Sequence, residues 1–149
     1  MFLLDLFDCS LSSLERLAQR RAESEQRTQH LATGERGERD AFFHLRRQGF
    51  VVTARRWRSS RARGDLDLVA WDGDTLCFIE VKTRTTRTVA PAEAAVDHDK
   101  QKTLSRLAFE YLKQLQKEDV PVRFDVVSVY SEPGKSPEFE HFRGAFGWR

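Results

Sequence analysis

The segment GDLDLVAWDGDTLCFIEVK, residues 64 to 82, constrains the fold more than any other stretch. Two short runs of apolar and β-branched residues flank a turn signal around Asp72-Gly73-Asp74, which is the pattern of a β-hairpin. Runs as apolar as these suit central strands covered on both faces. Charge inside such strands is costly. Yet Asp65, Asp67, Glu80 and Lys82 sit there, in two pairs each spaced by two.

Successive strand residues point to opposite faces, so Asp65 and Asp67 share a face, as do Glu80 and Lys82. A two-residue loop at Asp72-Gly73 pairs Asp65 with Glu80 and leaves Asp67 diagonal to Glu80. A four-residue loop sets Asp67 directly opposite Glu80. Either even register gathers all four groups on one face, whereas a three-residue loop without a bulge separates them. Directly opposed residues have Cβ atoms roughly 5 Å apart. Two carboxylates that close on a partly buried face repel unless a proton or cation neutralises them. A hard divalent ion such as Mg²⁺ takes oxygen ligands and keeps waters, leaving room for a phosphate oxygen. Val81 turns its side chain to the other face and offers its backbone carbonyl as a further ligand. Lys82 is then placed to orient an attacking water or to bind the phosphate. The alternative is a solvated face with cross-strand Lys–Asp pairs. Leu66, Leu68, Phe78 and Ile79 argue instead for a covered hairpin.

The rest of the chain supplies a frame. ERDAFFHLRRQG places Glu38, Ala41, Phe42 and Leu45 at i, i+3, i+4 and i+7, one face of a helix that Gly49 ends. Glu38 thus lies on an apolar stripe, either aimed over the sheet towards the hairpin or favoured simply by a helix N-terminus. FVVTARRW reads as a strand. A long helix is expected around residues 97 to 117, with Leu104, Leu107, Ala108, Tyr111, Leu112 and Leu115 as its stripe. RFDVVSVY follows as a strand, so strand, helix and strand make a parallel crossover within a mixed sheet. TRTTRTVAPAEAAV reads as irregular, and the tail SEPGKSPEFEHFRGAF as a loop closing with a short edge strand. The fold class is α/β. Residues 1 to 33 read as a helical or flexible arm, with Leu11, Leu14, Leu17 and Ala18 on one face, and residues 34 to 149 as the folded domain.

At 149 residues the chain can bury a core without staples. Its net charge of +2 does not announce a nucleic-acid binder. The distribution is more informative, since RRWRSSRAR, residues 55 to 63, has five arginines and no acid. Arg55, Arg56, Arg58, Arg61 and Arg63 suit phosphates, and Trp57 suits an unpaired base or plain packing. Arg84 and Arg87 extend this rim, and Lys100 at the start of the long helix is a candidate for the same cleft. His30, His44, His98 and His141 lack ligand spacing and read as surface residues. Cys9 and Cys77 form no disulfide framework or zinc motif, and Cys77 reads as core. No run has membrane-spanning length and no signal peptide is evident, so the expected location is cytoplasmic.

With GDLDLVA followed by FIEVKTR, the chain resembles the PD-(D/E)XK nuclease superfamily. It is most similar to the YraN-like family of small bacterial proteins expected to be endonucleases, themselves distantly similar to archaeal Holliday junction resolvases. GERGERDA, ARRW, KQKTLSRLAFEYL and RFDVVSV match in the same order, from about Gly34 onward. The resemblance implies a restriction-endonuclease-like mixed sheet flanked by helices. It implies Asp67 and Glu80 as metal ligands, Lys82 as catalytic lysine, Glu38 as helix acid and Lys100 as the basic residue of the later helix. Asp65 stands where the family is expected to carry glutamate. It also implies Mg²⁺ or Mn²⁺ as cofactor, DNA as partner and a homodimer. The resulting expectation is a metal-dependent endonuclease acting on branched or single-stranded DNA. Its rivals are a non-catalytic nucleic-acid-binding module on the same fold and a protein-interaction domain using the N-terminal arm.

Overall fold

The computed structural model describes residues 2–85, 96–117 and 119–149, with side chains from Glu15 onward among them. The described elements are α1 (Phe2–Arg47), β1 (Val51–Trp57), β2 (Leu66–Asp72), β3 (Thr75–Arg84), α2 (His98–Leu115), β4 (Val122–Tyr130) and β5 (Glu138–Phe146). The chain divides into two compact units, Met1–Glu35 and Arg36–Arg149. In the first, the helix is continuous and its described side chains are largely exposed, with Leu17 and Leu31 at 61% and 69%. Residues 1 to 33, read as a helical or flexible arm, are helical, and α1 runs through Gly34 and Gly37. No proline interrupts it, and its many Leu, Glu, Gln, Arg and Ala residues offset two glycines that cost about 1 kcal/mol each.

The second unit is α/β, built on a five-stranded sheet in the order β1-β2-β3-β4-β5. The β1–β2, β2–β3 and β4–β5 pairs are antiparallel. The pair β3–β4 is parallel, because α2 carries the chain back across the sheet. This mixed sheet with flanking helices has the architecture of a restriction-endonuclease-like fold. Ala41 and Leu45 of α1, with Phe50, cover one face at Leu68, Ala70, Ile79, Val81, Val127 and Val129. Leu104, Leu107, Ala108 and Leu112 of α2 cover the other at Val69, Phe78, Phe124 and Val126. Each fully buried Leu, Val or Phe contributes roughly 1.5–3 kcal/mol, and the apolar runs Leu76–Ile79 of β3 and Val126–Val127 of β4 are buried at consecutive positions because both faces are covered.

Local signals end the elements where the sequence places them. Gly49, at φ 93, closes α1, and Phe50 N–H donates back to the Leu45 carbonyl at 3.1 Å. Asp97 caps α2 by accepting from Lys100 N–H at 2.8 Å. Leu115, expected in the buried stripe, is exposed in the last turn. Of the segment 83–96, read as irregular, Thr83 and Arg84 extend β3, and residues 86–95 lie outside the described residues.

The tail differs most from expectation. Instead of a short edge strand it makes the nine-residue β5, whose register with β4 slips between Phe124 and Val126. Asp125 fills the slip. It is fully buried and accepts from Arg123 Nε (2.8 Å), Arg123 NH2 (3.0 Å) and Gly144 N–H (2.9 Å), and it pairs with His141 Nε2 at 2.9 Å. Arg123 and Arg143 also bind Asp72 at the hairpin end, at 2.9 and 3.2 Å. His141 is therefore a half-buried partner of Asp125 rather than a surface residue, and His44 is half-buried too, stacked on Phe139 at 4.1 Å. The longer strand covers both, while His30 and His98 are exposed. Cys77 is buried as expected, and burial, then Asp125, pushes its thiol up to about 12.

Candidate active site

The register of the hairpin decides whether the acids meet. The turn residues are Gly73 and Asp74, one position later than the two-residue loop considered from the sequence, because Asp72 pairs with Thr75. Gly73 has φ 58 at the first central position, where type II′ hairpins place glycine. Paired residues sum to 147 along the ladder, as in Leu68↔Ile79, so the next step outward sets Asp67 against Glu80. The four-residue loop is not needed for that opposition. Val81 N–H donates to Asp67 Oδ2 at 2.8 Å, which ties the acid to the facing strand.

Glu80 is 4% exposed, and its two oxygens have unequal surroundings. Lys82 Nζ lies 2.9 Å and Lys100 Nζ 3.3 Å from the same oxygen, Oε1. Oε2 is buried and has no hydrogen-bond partner. An orphaned carboxylate oxygen in the interior is expensive. Burial, followed by the charge of Glu80, raises Asp67 from 3.8 to about 7; Glu38 adds to the rise, while Val81 N–H and Lys100 oppose it. The donors on offer are hard oxygens, one of them unpaired, beside a second carboxylate that is reluctant to ionise. That set suits Mg²⁺ or Mn²⁺. Among the described residues no three acid, histidine or cysteine side chains are gathered as a ready ligand group. Asp67 and Glu80 are a pair, and waters or a phosphate would complete the shell.

Glu38 reaches this rim through a close approach that the sequence does not advertise. Gly37 is buried, and a Cβ there would lie 1.9 Å from Thr83 Oγ1 on β3. Only glycine lets α1 sit this near the strand. Its neighbour Glu38 is half-buried and accepts from Arg56 Nε at 2.6 Å. Arg56 itself holds φ 47, a left-handed conformation uncommon outside glycine.

The basic residues separate into groups. Arg55 stacks over Phe42 at 4.8 Å. Trp57 packs edge-on against Tyr111 at 5.2 Å, so much of its ring serves the core. Arg58 is exposed and pairs with Asp65 at 3.4 Å. Arg61 and Arg63 face α2 across a groove shared with Arg106 and Phe109, two residues not singled out beforehand. Arg84 ends β3 half-buried, with Nε lacking a partner. Arg87 lies outside the described residues. Lys100, by contrast, is brought directly onto Glu80. Among the described residues no helix is long and apolar enough to cross a membrane.

Comparison with known proteins places the chain in a family. The model of a family described as "Uncharacterised protein family UPF0102" matches residues 37–129, which include Glu38, Asp67, Glu80, Lys82 and Lys100. A UPF0102 protein of Koribacter versatilis (strain Ellin345) is 49% identical over 118 residues, covering 79% of this chain and 81% of its own. Another, from Solibacter usitatus (strain Ellin6076), is 43% identical over 113 residues, 76% of this chain and 84% of its own. A third, from Geotalea uraniireducens (strain Rf4), is 36% identical over 123 residues, 83% and 95% of the two chains. The chain belongs to the UPF0102 family, the YraN-like family that its hairpin acids resembled.

Proposed function

We propose that the protein is a metal-dependent endonuclease that hydrolyses phosphodiester bonds of DNA, branched or single-stranded DNA being preferred. One observation carries this reading: the buried, unpaired Oε2 of Glu80, set against a carboxyl that burial raises to about 7. A structural acid would have found partners for both oxygens. Asp67, Glu80 and the Val81 carbonyl would hold Mg²⁺ or Mn²⁺, which when bound polarises a phosphate oxygen and acidifies water.

The chain's own groups supply the rest. Lys82 and Lys100 both pair with Oε1 of Glu80 and leave Oε2 to the cation. On arrival of substrate, Lys82 Nζ exchanges that contact for a phosphate oxygen or the attacking water, at little cost because it is about one-third exposed. It then offsets charge that grows on the phosphoryl oxygens in the transition state. Glu38, oriented by Arg56, adds negative charge at the rim and accepts a hydrogen bond from water entering there. Arg58, Arg61 and Arg63 hold flanking phosphates.

The test is cleavage of labelled single-stranded, flap, four-way-junction and duplex DNA in Mg²⁺, Mn²⁺ or EDTA, beside Glu80→Gln purified identically. Metal-dependent cutting that disappears in the variant supports the nuclease and ranks its substrates. Equal cutting by both proteins means a contaminant. A second reading, a binding module without catalysis, is favoured by the lysine pairing of Glu80 and by the lack of a ready three-ligand group among the described residues. Salt-dependent DNA binding with no metal requirement and no cutting would select it.

A further inference from the structure

We infer that the groove between the 58–64 loop and helix α2 is a subsite for one unpaired nucleotide, with Phe109 as its stacking platform. This rests on the nuclease reading and names what the site would select in its substrate.

The groove lies along the same helix as Lys100, which touches Glu80, and its α2 wall is Thr103, Arg106, Phe109 and Glu110. With a rise of 1.5 Å per residue, Arg106 is about 9 Å and Phe109 about 14 Å further along the helix axis. The opposite wall is Arg61 and Arg63, and the space between is about 530 Å³. The loop is seated against the helix at Gly64, which has φ 95 and where a Cβ would come 3.2 Å from Thr103 Cγ2. The wall is thus a held surface.

Its charge selects an anion. Arg61, Arg63 and Arg106 line the groove, and Lys113 stands beside it, against the single carboxylate of Glu110. An exposed apolar side chain needs no explanation on its own. Phe109, however, is 49% exposed at the mouth of a groove of cations, on a helix whose Leu104, Leu107, Tyr111 and Leu112 are all buried. Lys113 Nζ lies 4.6 Å over the ring centroid, so one face carries a cation and the other is left for a ligand. An aromatic face ringed by arginines is the recurrent platform for unpaired bases, because a strand then places its phosphates on the cations and a base on the ring. Bases inside a duplex already stack on each other and offer no free face. Phe109 therefore discriminates unpaired from paired nucleotides, upstream or downstream of the bond at Glu80.

The experiment uses the full chain in EDTA, so that binding is read without cutting. Anisotropy measures affinity for a short labelled single strand and for the same strand in a duplex, and 2-aminopurine fluorescence in the strand reports stacking. Phe109→Ala is expected to weaken single-strand binding by about tenfold and to abolish the quenching, while duplex affinity changes by less than about twofold. Phe109→Trp keeps both signals. Arg106→Ala weakens both ligands and lowers the salt slope by about one. Unchanged single-strand binding by Phe109→Ala overturns the inference, as does an equal loss on strand and duplex. Displacement of the strand by polyglutamate with the same Phe109 dependence also overturns it, and assigns the groove to an acidic peptide. Because no cleavage enters the readout, a wild type that binds through Phe109 yet never cuts sinks the nuclease and leaves the subsite standing.

Discussion

Glu80 and Asp125 are both buried acids on neighbouring central strands, and the protein treats them in opposite ways. Asp125 accepts bonds at both oxygens, from Arg123, Gly144 and the ring of His141. Burial alone would raise its pKa, but the His141, Arg123 and Gly144 contacts outweigh burial and hold it below its ordinary value. Glu80 crowds two lysines on one oxygen and leaves the other bare, while the acid opposite it is raised to about 7. The satisfied acid joins β4, β5 and the hairpin end. The unsatisfied one stores an electrostatic demand that a cation would meet. Satisfaction of hydrogen bonds, not burial, separates the structural acid from the chemical one.

The sharpest way to break this comparison is to remove each carboxylate. Asp125→Ala is expected to lower stability by about 3–5 kcal/mol, because it strands Arg123 and His141. Glu80→Gln is expected to change stability by less than about 1 kcal/mol and to reduce metal-dependent cleavage on the order of 10³-fold. Thermal melts and cleavage rates on the same preparations decide it; a large melting loss in Glu80→Gln would make that acid structural as well.

Gly37→Ala comes next. A methyl group 1.9 Å from Thr83 Oγ1 forces α1 off β3 and is expected to cost about 1–3 kcal/mol. Thr83→Ala should recover part of that loss in the double variant, and additive losses would argue against the contact.

Proton linkage gives a smaller effect with two signs. Asp125 has a depressed pKa, so its stabilisation is present above about pH 4 and is lost as pH falls through the depressed value. Asp67 has a folded pKa of about 7 against an ordinary 3.8, so the metal-free fold loses stability as pH rises between those values. Divalent binding displaces that proton. Mg²⁺ affinity should therefore rise by about tenfold per pH unit below pH 7 and level off above it. Titration calorimetry from pH 5.5 to 8.5 checks this, and Asp67→Asn should flatten the profile. The smallest effect belongs to Arg58→Ala: the pair with Asp65 is exposed, so chemical denaturation should move by no more than about 0.5 kcal/mol.

Much of the frame was legible because it rests on local periods. The short apolar runs of β2 and β3, the turn signal around Asp72-Gly73-Asp74 and the α2 stripe through Leu104, Leu107 and Tyr111 are short-range signals. Asp67, Glu80 and Lys82 stood out because charge interrupts apolar strands. Their meeting did not follow from pattern alone, since it depends on Gly73 and Asp74 forming the turn. Lys100 reached Glu80 through the crossover, and the sequence could only suggest it. Gly37 against Thr83, Asp125 with His141, and Phe109 with Arg61 were out of reach for one reason. Each brings together residues far apart in the chain, by contact or across one groove, which no local period encodes.

The sheet order follows the chain from β1 to β5, and this bears on how the molecule assembles. The hairpin of β2 and β3 closes on a two-residue turn, an event of microseconds that brings Asp67 to Glu80 first. Lys100 joins them only after the crossover has wrapped α2 over the sheet, a slower step with a larger loop to close. The acids thus meet, with Lys82 beside them, before Lys100 arrives. Divalent ions present during refolding should speed that stage more than they change the final stability, and monovalent salt should reproduce only part of the acceleration.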